Sequence, residues 1–364
     1  MQEKFARWEF LFIQYLKRDW RKIIIWILGV GLFSAGFVPA FEELAKGQGL
    51  VGMYETMKNP AMIAIVGPTP IETAAEYTLG AMYAHEMLLF CGLMAMVISV
   101  LHVISHTRKE ENLGLTELVR SFPIGRQANS LAIMIETILI NFLLALLISG
   151  ALFSFGAETI SAEGSLLFGA SIGVAGMIGA GMALVLAQLM PTSSSATGST
   201  LGIIGLLYIM RAGTDISHVE LSMFNPIGWI YLTYPFTDNN WTPLIFALVF
   251  LVIAVISAFA LEGSRDIGAG YLPERAGREF AKPSLLSVRG LFFRLNKGVI
   301  LGWMVAFIFI GASYGAIYGD MHVFIESNEL MKQMFTHAGF SIEESFPGTI
   351  MMVMICLVSI LPIL

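Results

Sequence analysis

The sequence predicts an all-α polytopic membrane protein, and three observations carry that prediction. Of its 364 residues, 56% are hydrophobic and only 13% are charged, whereas soluble domains carry about 25% charged residues. A water-soluble fold of this composition would lack the polar surface to cover itself. Several stretches stay free of charge over a length that, at about 1.5 Å per residue, crosses a hydrocarbon layer of roughly 30 Å. The basic residues are gathered into three segments, as they are in chains that a bilayer orients.

Residues 1–21 come first. Phe5, Trp8, Phe12 and Tyr15 recur every three or four positions with basic residues between and after them. This is the pattern of a helix lying flat in the inner membrane interface, and equally of an aromatic and basic flank to the first span. Apolar runs then give seven spans and most of an eighth, at residues 22–40, 86–106, 130–154, 165–190, 197–212, 242–262, 297–317 and 347–364. Residues 22–262 form a first six-span half and 263–296 a cytoplasmic linker. Residues 297–364 open a second transmembrane half, supplying its first one to two spans.

That division rests on an internal likeness. RKIIIWILGVGLFSAGF at 21 and NKGVILGWMVAFIFIGASYG at 296 both begin a span after basic residues, and each leads through a Met- and Pro-containing segment to a Met-rich span with one cysteine. The second span ends in His106, Arg108 and Lys109, whereas the eighth run reaches Leu364 without a basic residue. The expectation is one complete half joined to the opening of another, the remainder coming from further chain or from a second copy.

Six basic residues from Lys4 to Lys22, four from Arg108 to Arg126 and seven from Arg265 to Lys297 make up 17 of the 21. The opposite loops hold Lys46, Lys58, Arg211 and Lys332 among acids such as Glu42, Glu43, Glu55, Glu72, Glu76, Glu343 and Glu344. The positive-inside rule therefore predicts a cytoplasmic N-terminus for a multi-pass protein of the bacterial plasma membrane. The first twenty residues lack the short apolar core of a cleavable signal. Cys91 and Cys356 lie in apolar runs without ligand spacing, which favours packing over a disulfide or metal role.

The segment that carries chemistry is 107–126, TRKEENLGLTELVRSFPIGR. Glu110, Glu111, Glu117, Arg120 and Arg126 surround an amphipathic turn bearing Leu113, Leu115 and Leu118, and Pro123 with Gly125 ends it. Such a short helix suits a partner's groove, its apolar side chains anchoring and its charges setting register. A solvated loop of positive-inside character is the other reading.

In this segment the chain resembles the membrane subunits of type-2 ATP-binding-cassette (ABC) exporters, in particular the polyketide-antibiotic, tetronasin-type branch. The matching positions are Thr107, Arg108, Glu110, Glu111, Gly114, Glu117, Leu118, Pro123, Gly125 and Arg126. LYIMRAGTD at 207, FNPIGWIYLTYPF at 224, SRDIGAGYLPERAG at 264 and RLNKGVILGW at 294 continue the likeness in order. The resemblance implies that 107–126 is a coupling element seated on a separate ABC ATPase subunit, present in two copies. Glu110, Glu111, Gly114, Glu117, Leu118, Pro123 and Arg126 would form the contact. ATP and Mg would then be bound by the partner and no cofactor by this chain, which is a transport subunit and not an enzyme. No G-x-x-x-x-G-K-[ST] phosphate loop occurs in the sequence. The implied activity is outward movement of a hydrophobic or amphiphilic, drug-like compound; membrane lipid is the expected surrounding and nucleic acid is not an expected partner.

Few polar residues fall inside the spans. Glu136, about two turns into the third, is read as a contact for a cationic substrate, as a helix–helix link, or as a near-interface carboxylate that reaches water. His102 and His106 share a helix face but lack a third metal ligand. Arg211 and Asp215, four apart, are expected to pair at the outer rim of the fifth span. Gly169 with Gly173, and Gly179 with Ala183, have the small-x-x-x-small spacing of close helix packing. The Met, Phe and Leu excess suits an adaptable path for a greasy substrate. Two other classes compete. An ion-coupled secondary transporter would need ionisable groups in several spans, and an intramembrane enzyme would need a clustered nucleophile and base or a metal site.

Overall fold

A computed structural model describes residues 2–272 and 280–319, which contain thirteen α-helices and no strand among the described residues. The polytopic membrane architecture is realised: five helical stretches, Trp8–Leu44, Leu79–Asn112, Ala128–Ser154, Ala162–Leu189 and Thr242–Ser264, are long and apolar enough to cross a membrane. The sides of the membrane are denoted by the charges they carry, as the basic end and the acidic end.

Helix α1 runs unbroken from Trp8 to Gly36. No glycine or proline interrupts Trp8–Leu28, so nothing in the sequence stops propagation. Residues 8–21 therefore continue into the span as one rod and do not form the separate interfacial helix expected for 1–21. The 3₁₀ turn Gln2–Phe5 precedes it. Gly36 and Pro39 end the rod, and α2 (Val38–Leu44), α3 (Gly49–Met57) and α4 (Pro60–Val66) follow at the acidic end. Asn59 caps α4 by accepting from the Ala61 amide, and Pro60 occupies its first turn.

Helix α5 (Leu79–His106) starts seven residues before the expected span because Thr78 caps it and His85 is internally satisfied, bonding the Tyr77 hydroxyl at 3.1 Å and the Gly67 carbonyl at 2.8 Å. At the basic end α6 (Arg108–Asn112) and α7 (Leu115–Arg120) are separated by Gly114, whose φ of +74° favours glycine. Helices α8 (Ala128–Ser154), α9 (Ala162–Leu189) and α10 (Ser193–Ser217) follow, then the short α11 (Gly228–Tyr231) and α12 (Thr242–Ser264). The fifth expected span, 197–212, falls within α10, which is not one of the five stretches long and apolar enough to cross; its polar opening, SSSATGST, is held by a capping box between Thr192 and Ser195.

The core is built around α9, which packs on α5, α8, α10 and α12 and buries 78% of its most apolar stretch. Its glycines make this possible. A Cβ on Gly169 would lie 2.4 Å from the Ala145 carbonyl oxygen of α8, and one on Gly179 would lie 2.6 Å from that of Met96 in α5. Cys91 is a buried free thiol. Helix α1 packs on α8 and α5 along the side of this core.

The chain divides into two units, residues 1–274 and 275–364. In the second, α13 (Val288–Gly319) begins nine residues before the expected seventh span. The eighth run, at 347–364, lies outside the described residues, as do Glu343, Glu344 and Cys356.

Candidate functional site

At the basic end the chain reverses between α5 and α8 through α6 and α7, and this reversal is fastened from within. Arg108 is fully buried. It donates to Glu111 Oε2 at 3.0 Å and to the carbonyls of Pro191 at 2.6 Å, Gly268 at 3.1 Å and Ala269 at 3.2 Å. Glu111 also receives Arg265 through two parallel bonds, Nη1 to Oε1 and Nη2 to Oε2, each 2.6 Å, and accepts from the Gly268 amide at 2.7 Å. Arg265 Nε donates to Gln188 Oε1 at 2.7 Å. Forked geometry of this kind suits a guanidinium and a carboxylate. Residues 265–272 are thereby tied to α6 and to the end of α9, where the Leu272 amide also donates to the Leu189 carbonyl at 2.9 Å.

Of the seven residues expected to meet a partner, the structure separates two groups. Glu110 and Glu111 turn inward. Glu110 accepts from Arg18 of α1 at 2.8 Å, and Glu111 belongs to the latch just described. Glu117, Leu118 and Pro123 are exposed, as is Arg126, which donates to the Arg265 carbonyl. Gly114 supplies the turn that presents them. Leu113, Leu115 and Phe122 are exposed beside Leu118, so an apolar knuckle stands on a charged, internally locked base. Its back is closed by the N-terminal segment: the amides of Gly125 and Gln127 donate to the carbonyls of Ala6 and Lys4, both at 2.9 Å. A Cβ on Gly125 would lie 2.4 Å from Lys4 O. Beside this base a cleft of about 600 Å³ opens between α5 and the start of α10, lined by Leu101, Ile104 and Ser105 of α5, by Ser193, Ser194 and Thr197 of α10, and by Lys109 of α6.

At the acidic end Arg211 and Asp215 pair at 2.8 Å, but under cover and not at a wet rim. Arg211 donates to the Ala64 and Ile65 carbonyls at 2.6 and 2.7 Å, closing the C-terminal turn of α4. Asp215 accepts from the Tyr231 hydroxyl at 2.6 Å and from Ser222. Burial, reinforced by Asp215, holds the Tyr231 phenol well above its ordinary range, so it remains a donor.

Glu136 is sealed between helices. Its Oε2 lies 3.3 Å from His102 Nε2, which makes it a contact between α8 and α5. His106 instead turns to Asp19 of α1 at 2.7 Å. Among the described residues no group of three His, Cys, Asp or Glu side chains could hold a metal. Residues 169–173, GASIG, spell G-x-S-x-G, but Ser171 sits mid-helix and bonds the Leu167 carbonyl at 2.8 Å and Thr233 Oγ1 at 3.0 Å. A nucleophile elbow needs a strand-to-helix turn and an adjacent base.

The residues that sequence reasoning missed are the partners: Tyr15, Arg18 and Asp19 of α1, and Gln188 and Arg265 around Glu111. Opposite charges in TRKEE and SRDIGAG were the available signal. What joins them is the return of α9 and α12 to one end of the bundle.

A model of the multidrug efflux system permease Rv1217c, C-terminal domain, matches residues 285–364. The multidrug efflux system permease protein Rv1217c of Mycobacterium tuberculosis strain ATCC 25618 / H37Rv is 28% identical over 330 residues, covering 89% of this chain and 58% of that protein. The chain resembles an efflux permease. It spans a little under three fifths of that relative's length, and the likeness reaches both the bundle and the second unit.

Proposed function

We propose that this chain is the membrane-spanning subunit of an ATP-driven exporter, with its N-terminus and basic end in the cytoplasm of a bacterial cell and a separate ABC ATPase seated on α7. Apolar or amphiphilic, drug-like compounds are its cargo, in keeping with the efflux role named for the mycobacterial relative and with the tetronasin-type resemblance of the sequence. The observation that carries this reading is the knuckle of Leu113, Leu115, Leu118 and Phe122, exposed on a base whose own charges are already paired. Four large apolar side chains on a short turn at the water side suit a partner's groove, and the latch beneath them suits transmission of force into α5, α9 and α12. ATP-driven closure of the partner would shift the bundle between inward and outward arrangements by binding one of them better. The cleft at Leu101 and Ser193 has one greasy and one hydroxylated wall, which suits entry of an amphiphile from the inner leaflet.

The test is reconstitution. The purified chain should neither bind nor hydrolyse ATP. Co-expression with its cognate ATPase should give a membrane complex whose hydrolysis responds to an amphiphilic cargo. Robust hydrolysis by the isolated chain would overturn the assignment.

A further inference from the structure

Glu136 is the only charged residue of α8, it is fully buried, and among the described residues no arginine or lysine pairs with it. Its Oε1 makes no hydrogen bond, and neither does Nδ1 of its partner His102, which is itself 2% exposed. The nearby charges are committed elsewhere. On α1, Arg18 and Lys22 both donate to Asp19, at 2.9 and 3.1 Å, and Tyr15 donates to Asn129. On α5, His106 faces Asp19, and on α6, Glu110 takes Arg18. Helix α9 contributes no ionisable side chain beyond Glu163 in its first turn. Trp26 of α1 closes the remaining side, its ring 5.5 Å from that of His102 and perpendicular to it.

The charge count of the pair decides what it can bind. Neutral His102 beside ionised Glu136 leaves one net negative charge in an apolar interface, a costly state. One added proton makes the pair neutral, whether it rests on Nδ1 of His102 or on the Glu136 carboxyl, and the two atoms without partners are where such a proton would sit or be shared. With no third ligand for a metal and no uncommitted cation beside the pair among the described residues, a proton is the counter-charge that the geometry leaves.

We propose that His102 and Glu136 form a buried proton-binding site that locks α5 to α8 when loaded. One proton enters from water at the basic end, past Asp19 and His106, and one returns there when the pair unloads. The α5–α8 contact is firm while the proton is held and loosens once it leaves. Bundle opening is thus linked to protonation, independently of any ATPase.

The test uses the purified full chain in lipid nanodiscs, with thermal unfolding followed across pH 5 to 9. Linkage of one proton predicts that the folded-to-unfolded ratio of the native chain falls by up to about tenfold per pH unit over the range in which the folded pair still holds its proton and the unfolded chain has lost it, and levels off at higher pH once the folded pair has unloaded. Glu136→Gln, which resembles the loaded pair in charge and size, should flatten that slope. His102→Gln keeps a donor to Glu136 but removes the imidazole, and should move the transition to another pH. Should the variants fold poorly, infrared difference spectra of the native chain between acid and alkaline pH, with histidine ring labelling, report the proton directly. Equal pH slopes in the native chain and Glu136→Gln, or a native His102 ring and carboxyl bands unchanged across the range, would overturn the proposal.

Discussion

Glu111 and Arg265 form a forked ion pair, two parallel bonds of 2.6 Å between residues 154 positions apart. This single contact brings the turn after α5 and the segment after α12 into one unit, and Arg108 completes it from beneath. Both side chains are almost wholly covered, so removing one partner leaves an unpaired charge in a dry setting.

Glu111→Ala should accordingly destabilise the basic end by about 3 to 5 kcal/mol, because two guanidinium groups lose their shared carboxylate. Limited trypsin digestion reads it. Arg265 is held by five bonds of its own and by Arg126 on its carbonyl, so native chains should resist cleavage there and Glu111→Ala chains should be cut early. Unchanged digestion at Arg265 would show that backbone contacts alone hold the segment.

One glycine of α9 and one of α10 give a paired comparison. A Cβ on Gly176 would fall 1.8 Å from Asn141 Oδ1, and Asn141 is fixed by donating to Ser99 Oγ at 3.0 Å. Gly176→Ala should therefore cost about 1 to 3 kcal/mol of stability through overpacking. Gly205, in α10, has open space around its own Cβ position, so Gly205→Ala should be neutral or stabilise by up to about 1 kcal/mol through helix propensity. Thermal unfolding in detergent separates the two; equal effects would refute the packing account.

Much of this architecture was legible because a bilayer simplifies the rules. Helices α8, α9 and α12 are long, nearly charge-free runs, and their bounds fall within a few residues of the apolar stretches. Interior polar pairing was not legible in the same way. Arg108 reads from sequence as one more inside charge, yet it is buried among carbonyls supplied from residues 191, 268 and 269. His85 and Glu86 mark an apparent edge to the second span, although α5 runs through them because local partners accept His85. Short helices such as α3 and α4 carry too few residues for a period to show, and they depend on Asn59, Pro60 and the Arg211 contact for their form. At the candidate site, exposure of Leu118 beside burial of Glu111 follows from which face of the turn meets the 265–269 segment, a relation that no single segment encodes.

Arg211→Lys tests the lock at the acidic end. Lysine keeps the charge but loses the fork that reaches Asp215 and two carbonyls at once. The change should lower the melting temperature and expose α4 to hydrogen exchange, and Asp215→Asn should do so as well by leaving Arg211 buried without its carboxylate. A double replacement by apolar residues of similar volume should be milder than either single change. If Arg211→Lys leaves exchange of residues 60–66 untouched, the capping role fails.

The exposed knuckle separates docking from stability. Leu118 is 64% exposed and its neighbours Glu117 and Pro123 are exposed too, so Leu118→Asp with Glu117→Arg should leave insertion and thermal stability of the isolated chain nearly unchanged. Binding should respond differently. In a groove that excludes water, loss of an apolar anchor and a reversed charge cost about 2 to 5 kcal/mol, whereas a wet rim would lose nearer 1 kcal/mol or less. A short helix with one flank in water lies between these limits, which predicts weakened co-purification with the ATPase and lost stimulation of hydrolysis by cargo. Arg126→Glu is the less clean reversal, since Arg126 also donates to the Arg265 carbonyl; it should impair both docking and the latch. A double reversal at Glu343 and Glu344, on the opposite side by the sequence's charge pattern, is the control and should leave coupling intact. Equal loss of coupling from the knuckle and from the control, or full coupling with the knuckle reversed, would remove α7 as the docking element.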